Sequence, residues 1–384
     1  MKWAWKIAGL TGTMAMAAAG QITNVRSEAN AIRLEWTAMP GNPYRVLSTP
    51  DLVSPVWSNR TPAGLLFSES RGFHDIPAAE TAEFFAVLPS EYLIVDLADG
   101  PEASAYPVSF TNIPPPGGWE DEYKTTKMVL RRIPAGPFTM GSPAPEVGHV
   151  EDEPEHGIRL TRDYYLGVFE VTQRQWERVL GAWPAWFTNA AARDARPVEQ
   201  VSYADIRGTA AGTNWPADGG VDAESFLGRL REKTGLDFDL PTEAQWERAC
   251  RAETGTALNS GADLTNQTAD AALGEVGRYW YNGGAEGTAD SDVTAGTAAV
   301  GSYLANAWGL HDLHGNVWEW CRDWYDSYSS ETADPPGADS GSARVRRGGS
   351  WRSEAAECRS ANRDIRAPDY RGAHVGFRIA QNLP

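Results

Sequence analysis

Residues 309–325 read GLHDLHGNVWEWCRDWY, and this stretch decides how the C-terminal part of the chain is interpreted. Two carboxylates, Asp312 and Glu319, stand seven residues apart with a tight turn at Gly315 between them. Carboxylates and inward-pointing carbonyls are the hard oxygen ligands that Ca²⁺ prefers. The stretch therefore predicts a calcium-binding loop. In the alternative interpretation Glu319 pairs with an arginine and Asp312 only caps the turn.

Six further blocks accompany this stretch in a fixed order. They are MVLRRIPAGPFTMGS at 128–142, FEVTQRQWERVLG at 169–181, RPVEQVSYADI at 196–206, LPTEAQWERACRA at 240–252, RRGGSW at 346–351 and GFRIA at 376–380. The ordered series resembles the formylglycine-generating enzyme (sulfatase-modifying factor) family over residues 128–384. The resemblance implies an α+β, C-type-lectin-like fold with little regular secondary structure.

The resemblance also implies structural calcium at the opening stretch. It transfers the ligand roles to the side chains of Asp312 and Glu319 and to the backbone oxygens of Gly315 and Val317. A second calcium site in the family draws on an earlier loop, where the matching residues are Asn282 and Asp292. The spacing there differs from the family's, so solvated loop side chains are the alternative.

The family's oxidase chemistry rests on two cysteines that hold copper after a Gly-Gly-Ser turn, because paired thiolates are what Cu(I) selects. Here Ser353 stands at the first cysteine position. Counted forward from Ser350, Cys358 falls on the second and would be the catalytic thiol. Counted backward from Gly376, it falls near a structural cysteine of the family, which predicts a Cys250–Cys358 disulfide. We prefer the disulfide, and we expect Cys321 to be a small buried hydrophobe.

Other pocket positions of the family are retained at Trp318 and Ser350, with Arg352 beside them. A tryptophan wall, a hydroxyl and a guanidinium can bind a peptide or a small anion without redox chemistry. The alternative is that Trp318 is a core residue. The six histidines do not form a three-ligand set at zinc or iron spacing.

Composition limits the partners and the location. The formal charge of −17 repels phosphate backbones and anionic lipids, so we expect neither nucleic acid nor membrane surfaces as partners. Residues 1–20 have the positive start, apolar stretch and alanine-rich end of a signal peptide, which predicts a secreted or periplasmic protein. No later stretch has the roughly 18 apolar residues of a membrane span.

The remaining sequence predicts two unlike regions. Residues 21–90 alternate apolar and polar side chains, as at Leu34 and Trp36, which favours a small β-sandwich resembling a fibronectin type III module. Residues 91–127 are predicted to be a linker with one strand at 92–97. Three helices are predicted later, with N-caps at Thr172, Asp222 and Thr242.

Two functions follow from these observations. In the first, which we favour, the protein is a non-oxidase relative: a calcium-stabilised domain that binds a peptide or small ligand. In the second it is a copper-dependent formylglycine-generating oxidase that modifies a cysteine of client sulfatases.

Overall fold

The computed structural model describes residues 5–7, 22–28, 31–39, 42–49, 58–60, 71–77, 83–209, 220–283, 295–328 and 332–383. The described N-terminal residues form two antiparallel sheets. One has the order β2-β3-β6 and the other the order β1-β7-β4-β5. Their strands are β1 (Trp5–Ile7), β2 (Ile22–Glu28), β3 (Ala31–Thr37), β4 (Arg45–Thr49), β5 (Ser58–Asn59), β6 (Arg71–Pro77) and β7 (Glu83–Leu88).

The predicted alternation is confirmed on β3, because Leu34 and Trp36 are buried while Arg33 and Glu35 are partly exposed. A sandwich of the fibronectin type III kind stays a prediction. Of the predicted signal peptide only Trp5–Ile7 is described, and it pairs with β7. The N-terminal region contacts the rest of the chain at Asn42, whose amide donates to the Tyr165 hydroxyl at 2.9 Å.

Residues 91–127 belong to the C-terminal fold, which corrects the predicted linker, whereas the strand predicted at 92–97 is confirmed. Strand β8 (Tyr92–Asp96) lies inside a five-stranded sheet, with β9 (Val108–Thr111) on one side and β10 (Lys127–Ile133), β13 (Tyr164–Gly167) and β18 (Ala380–Asn382), in that order, on the other. Leu93, Val95 and Leu97 are fully buried in the main core. The alternation of these apolar residues makes one face of β8 part of the core, so the segment belongs to the C-terminal fold.

The C-terminal fold combines short strands and short helices with long irregular loops. Its other strands are β9 (Val108–Thr111), β10 (Lys127–Ile133), β11 (Gly136–Met140), β12 (His156–Leu160), β13 (Tyr164–Gly167), β14 (Trp318–Trp324), β15 (Arg344–Arg347), β16 (Arg363–Arg366), β17 (Val375–Gly376) and β18 (Ala380–Asn382). Strands β16, β15, β14 and β17 form a sheet in that order, and β11 pairs with β12. The helices are α1 (Glu122–Thr125), α2 (Gln173–Leu180), α3 (Tyr203–Arg207), α4 (Phe226–Thr234), α5 (Glu243–Arg251), α6 (Ala271–Val276) and α7 (Trp280–Gly283).

Capping chemistry explains where the helices begin. Thr172 and Thr242 form the predicted capping boxes of α2 and α5 with Gln175 and Gln245. The predicted N-cap Asp222 of α4 is wrong by three residues. The cap is Ser225, whose hydroxyl accepts the N–H of the residue at 228, while Asp222 accepts the backbone N–H of Thr209 at 2.8 Å. Both residue types are good caps, so the sequence alone does not choose between them.

Within the described ranges, even the longest helices, α4 and α5, have nine residues each. None is long and apolar enough to cross a bilayer.

Candidate functional site

Strand β14 separates two chemically opposite regions. Successive side chains of a strand point to opposite faces. Trp318 and Trp320 pack in the main core, whereas Cys321 packs in a second cluster around Trp246. Glu319 faces that second side, where its carboxylate accepts the indole N–H of Trp246 at 2.7 Å. The sequence WEWC at the start of β14 therefore places aromatic rings on one face and a carboxylate on the other.

A carboxylate region lies on the Glu319 face. Arg378 donates to both oxygens of Glu319, at 2.7 and 2.6 Å, and both residues are almost completely buried. Glu170 is fully buried beside them and accepts the backbone N–H of Val317 at 3.1 Å. Asp312 accepts the N–H of Gly301 at 2.6 Å through Oδ2. We call Glu170, Asp312, Glu319 and Arg378 the carboxylate region.

The carboxylate region has excess negative charge. Three carboxylates and one guanidinium give a formal charge of −2 when all ionise. Burial, followed by repulsion from Asp312, raises the pKa of Glu170 well above its usual range. The pKa of Asp312 is also raised, mainly by burial. Oδ1 of Asp312 is buried and has no hydrogen-bond partner among the described residues, so it is a candidate cation ligand.

The carboxylate oxygens and the negative charge of this region suit a hard divalent cation, but the side chains alone do not supply a complete set of ligands. The Arg pairing of Glu319 is the alternative that the sequence left open. Three of the four acceptor sites of the Glu319 carboxylate are occupied by Arg378 and Trp246, so one remains. Among the described residues, no three His, Cys, Asp or Glu side chains come together as a metal site. A calcium ion here would need main-chain oxygens as well.

The residues predicted for main-chain ligation lie in the turn before β14. Gly315 has φ of +101°, a conformation that suits glycine, and its N–H donates to the oxygen of Gly348 at 2.7 Å. Val317 is fixed by Glu170. Of the second predicted site, Asn282 accepts the N–H of Tyr279 at 2.9 Å and donates to the backbone at 277. Asp292 lies outside the described residues.

Ser350, in the Gly-Gly-Ser turn, contacts both residues that the forward count assigns to the copper positions, Ser353 and Cys358. The hydroxyl oxygens of Ser350 and Ser353 are 3.2 Å apart. The thiol of Cys358 accepts the backbone N–H of Ser350 and lies against Gly349. Ser353 and Cys358 therefore both contact Ser350.

The predicted Cys250–Cys358 disulfide is not formed in this structure. Cys250, Cys321 and Cys358 are free and buried. The imidazole of His314 lies 3.8 Å from the Cys250 thiol, and its Nδ1 is 2.7 Å from the carbonyl of Cys358. Burial raises the pKa of Cys250 to about 12 and that of Cys358 further above its usual range. Both are thiols at neutral pH, and Cys321 is the expected buried hydrophobe.

The three predicted pocket residues are not equally accessible. Trp318 and Ser350 are buried, so Trp318 is a core residue as in the alternative, and Arg352 is exposed. Exposed aromatic residues flank the turn instead. Trp280 is 43% exposed, and its backbone N–H donates to the carbonyl of Ser353 at 3.0 Å. The next residue, Tyr281, is 69% exposed.

A third exposed ring, Trp186, belongs to a segment that contacts the same turn through the next residue, Phe187. It is 57% exposed, and its neighbour Phe187 packs edge to face on Trp351 at 5.5 Å. We call Trp186, Trp280, Tyr281 and Arg352 the aromatic rim. Sequence reasoning missed these three rings because nothing local distinguishes them among sixteen tryptophans and thirteen tyrosines.

A guanidinium region lies on the Trp318 face of β14. Arg346 is fully buried within 6 Å of the ring centres of Trp318, Trp320 and Tyr370, at 5.4, 5.7 and 5.4 Å. His374 is buried beside it, and its carbonyl accepts the N–H of Trp318 at 2.9 Å.

Positive charges crowd this histidine. Burial, followed by Arg346, Arg352 and Arg366, lowers the pKa of His374 to about 3. We call Arg346, Arg352, Arg366, Asp364 and His374 the guanidinium region.

Glu170, Arg346 and Arg378 stand in segments that carry the family resemblance, but the sequence analysis predicted no role for them. Each charge stands inside an otherwise apolar or tightly turned block, such as FEV and GFRIA. A charge flanked by apolar residues of a strand is expected to be buried and paired. That signal was available in the sequence.

The site and the mixed short strands and helices define a domain of the formylglycine-generating-enzyme type. Residues 119–383 match the sulfatase-modifying factor enzyme 1-like domain. The chain therefore belongs to the sulfatase-modifying factor family.

Known proteins of several kinds share this similarity. The chain is 30% identical over 293 residues to the formylglycine-generating enzyme of Mus musculus, covering 67% of this chain and 76% of that enzyme. It is 32% identical over 275 residues to the serine/threonine-protein kinase pkn1 of Chlamydia pneumoniae, covering 67% of this chain but 38% of that one. The solved structure of Treponema denticola variable protein 1 superposes with a TM-score of 0.53 at 26% identity, covering 67% of this chain and 96% of that protein.

Proposed function

We propose that this protein is a non-oxidase member of the family that binds a peptide or small ligand at the aromatic rim. The observation that carries the proposal is the pair of residues at the copper positions. Ser353 presents a hydroxyl 3.2 Å from Ser350, and Cys358 is a solitary buried thiol.

Copper chemistry needs what these two residues lack. Cu(I) selects soft sulfur ligands, and the thiolate is the form of cysteine that binds metal. A hydroxyl is a hard donor, so Ser353 does not replace a thiolate. Cys358 contributes one sulfur, whose thiolate is penalised by burial in the metal-free protein. One sulfur beside a hydroxyl does not make a two-thiolate copper site.

The aromatic rim supports binding. Trp186, Trp280 and Tyr281 expose large rings on two segments that contact the 350–353 turn, and Arg352 adds a guanidinium. Exposed aromatic residues and arginine are the residue types enriched at recognition surfaces. A ligand with apolar and anionic groups would match this surface.

Calcium belongs to the same proposal as a structural ion. Asp312 and Glu170 would supply carboxylate oxygens, the remaining acceptor site of Glu319 a third, and Gly315 and Val317 their backbone oxygens. Bound calcium would offset the negative charge of the carboxylate region and tie the turn before β14 to Glu170. Asn282 and Asp292 remain proposed ligands of a second ion.

A secreted or periplasmic location fits these requirements. The signal-like residues 1–20 would direct export, and calcium is abundant outside cells. The N-terminal strands would then serve as a spacer or an attachment module for the binding domain.

A second function has a specific observation in its favour. Cys358 adjoins Ser350, where the family's second copper cysteine is expected, and mouse formylglycine-generating enzyme is 30% identical. If the chain is an oxidase, copper is its cofactor, Cys358 its catalytic residue and a sulfatase cysteine its substrate.

One experiment separates the two functions. The purified chain is titrated with Cu(I) and then incubated with oxygen, reductant and a cysteine-containing sulfatase-motif peptide. We expect neither stoichiometric copper nor aldehyde on the peptide. Tight copper binding with aldehyde formation would establish the oxidase and overturn the proposal.

The matched variant is Ser353→Cys. It places a second thiol beside Ser350, so we expect it to gain Cu(I) binding, and Ser353→Cys with Cys358→Ala to lose that gain. If Ser353→Cys binds no more copper than wild type, Cys358 does not occupy the second copper position.

A further inference from the structure

The buried guanidinium of Arg346 has fewer hydrogen-bond acceptors around it than it has N–H donors. One of its terminal nitrogens pairs with Asp364, but Nε and Nη1 have no hydrogen-bond partner among the described residues. Aromatic faces of Trp318, Trp320 and Tyr370 stabilise the cation without neutralising its charge. Arg346 therefore projects positive charge towards its surroundings.

Two other buried arginines of the domain, Arg347 and Arg359, are differently paired. Arg347 contacts Glu247 and Glu243, and Arg359 contacts Glu146 and Glu153. Those guanidiniums meet two carboxylates each. In the guanidinium region one carboxylate, Asp364, contacts both Arg346 and Arg366.

The local charge opposes that of the whole protein. Arg346 and Arg366 against Asp364 give +1 beside His374, and the guanidinium of Arg352 also acts on this histidine, in a chain of formal charge −17. His374 offers no further charge, since its imidazole is neutral. A positive region on an acidic protein attracts anions selectively.

The positive region reaches the surface beside the aromatic rim. Arg352 and Arg366 are exposed, and Arg352 belongs to the Ser350–Ser353 turn. Tyr370 connects the buried and exposed parts, because Arg346 and Arg366 lie 5.4 and 5.5 Å from its ring centre. Its hydroxyl lies 3.4 Å from Nε2 of His374. A ligand held at the rim would meet these guanidiniums first.

We propose that Arg352 and Arg366 bind an oxyanion of the ligand, a carboxylate or a phosphate, above His374, with Arg346 adding charge from beneath. This inference rests on the proposed binding function and specifies its ligand class. The planar guanidinium fork matches the paired oxygens of both groups. Arg346 is a positioning residue here, because it is fully buried and does not touch the ligand.

The full-length protein tests this inference with two simple probes, sodium phosphate and sodium glutarate. Each is titrated at constant ionic strength maintained with sodium chloride, and the imidazole signals are followed by NMR. His374→Gln assigns the signal among the six histidines. We expect saturable shifts of His374 and an increase of its pKa, because a bound anion offsets the guanidinium charge.

The variants Arg352→Gln and Arg366→Gln should each weaken anion binding about tenfold, as expected for a charge-assisted hydrogen bond. The control Arg229→Gln removes the same charge on α4, where Arg229 pairs with Glu224, and should leave binding unchanged. Saturation by phosphate alone or by glutarate alone identifies which oxyanion is preferred.

No saturation beyond chloride with either probe overturns the oxyanion inference. Equal weakening in Arg229→Gln does so too, because it would show a general charge effect. The binding function itself fails by a different result, namely stoichiometric copper and aldehyde formation in the wild type.

Discussion

The two faces of β14 differ in the sign of their uncompensated charge. On the Glu319 face three carboxylates share Arg378. On the Trp318 face the guanidiniums of Arg346 and Arg366 share Asp364. Both faces are buried, where an unpaired charge costs much more than at the surface.

The difference teaches what each face requires. The negative charge of the carboxylate region is neutralised by protonation or by a bound cation. In the guanidinium region, Arg346 contacts aromatic rings, and Arg352 and Arg366 are exposed to solvent. The first arrangement suits a structural ion. The second suits a ligand that comes and goes.

The largest expected effect separates the two faces directly. Arg378→Met leaves the Glu319 carboxylate buried without its guanidinium, and we expect a loss of about 3 to 5 kcal/mol of unfolding free energy. Arg346→Met makes the same change on the other face but leaves Asp364 paired with Arg366, so the loss should stay below about 2 kcal/mol. Urea denaturation at pH 7 measures both, and equal losses would contradict the comparison.

A pH-dependent effect should come from Asp323, near the end of β14. Burial, followed by repulsion from Glu243, raises its pKa from 3.8 to about 7. Because the folded-state pKa is raised, the native state is favoured while Asp323 is protonated, and this stability is lost as pH rises from about 4 through 7. Asp323→Asn should therefore be more stable than wild type at pH 8, by up to roughly 4 kcal/mol, and equal to it near pH 4.

The measurement for Asp323 is a series of urea denaturations between pH 4 and 8. The exposed neighbour Asp326 provides the control variant Asp326→Asn, which should follow the wild-type curve. A stability difference that does not change with pH would show that Asp323 acts through packing rather than charge.

Calcium should act on the carboxylate face alone. Asp312→Asn removes one buried charge at Oδ1, which has no hydrogen-bond partner among the described residues. In the presence of chelator we therefore expect the unfolding free energy of this variant to exceed that of wild type by about 1 to 2 kcal/mol. Added calcium should raise the melting temperature of wild type but not of Asp312→Asn. Asp339→Asn, an exposed carboxylate, should respond like wild type. No shift of wild type between chelator and calcium would contradict the calcium site.

The smallest effect on stability is expected at the aromatic rim. Trp280→Ala removes a half-exposed ring and should change the unfolding free energy by less than about 0.5 kcal/mol. It should nevertheless weaken binding of the sulfatase-motif peptide, measured by fluorescence titration, because exposed tryptophans often dominate recognition. Ile113→Ala removes an exposed apolar side chain elsewhere and should leave peptide binding unchanged.

Local rules predicted the elements that short-range chemistry controls. The capping boxes of α2 and α5 were predicted because Thr172 and Thr242 precede glutamines at the required spacing. Local rules failed where two candidates competed, as at Asp222 and Ser225. They also failed for residues 91–127: the strand predicted at 92–97 is present as β8, but a proline- and glycine-rich composition gave no sign that β10 and β9 pair with it on both sides.

The sequence by itself determined the family, the serine at the first copper position and the alternation that divides β14. The tertiary structure decided which distant side chains share each face: Glu170 meets Asp312 and Glu319, and Arg346 meets His374 and Arg366. It also separated Cys250 from Cys358 with the ring of His314. These pairings join residues up to 149 positions apart in the printed sequence, from 170 to 319. Coulomb interaction and burial depend on distance in space, and spacing along the chain does not supply that distance.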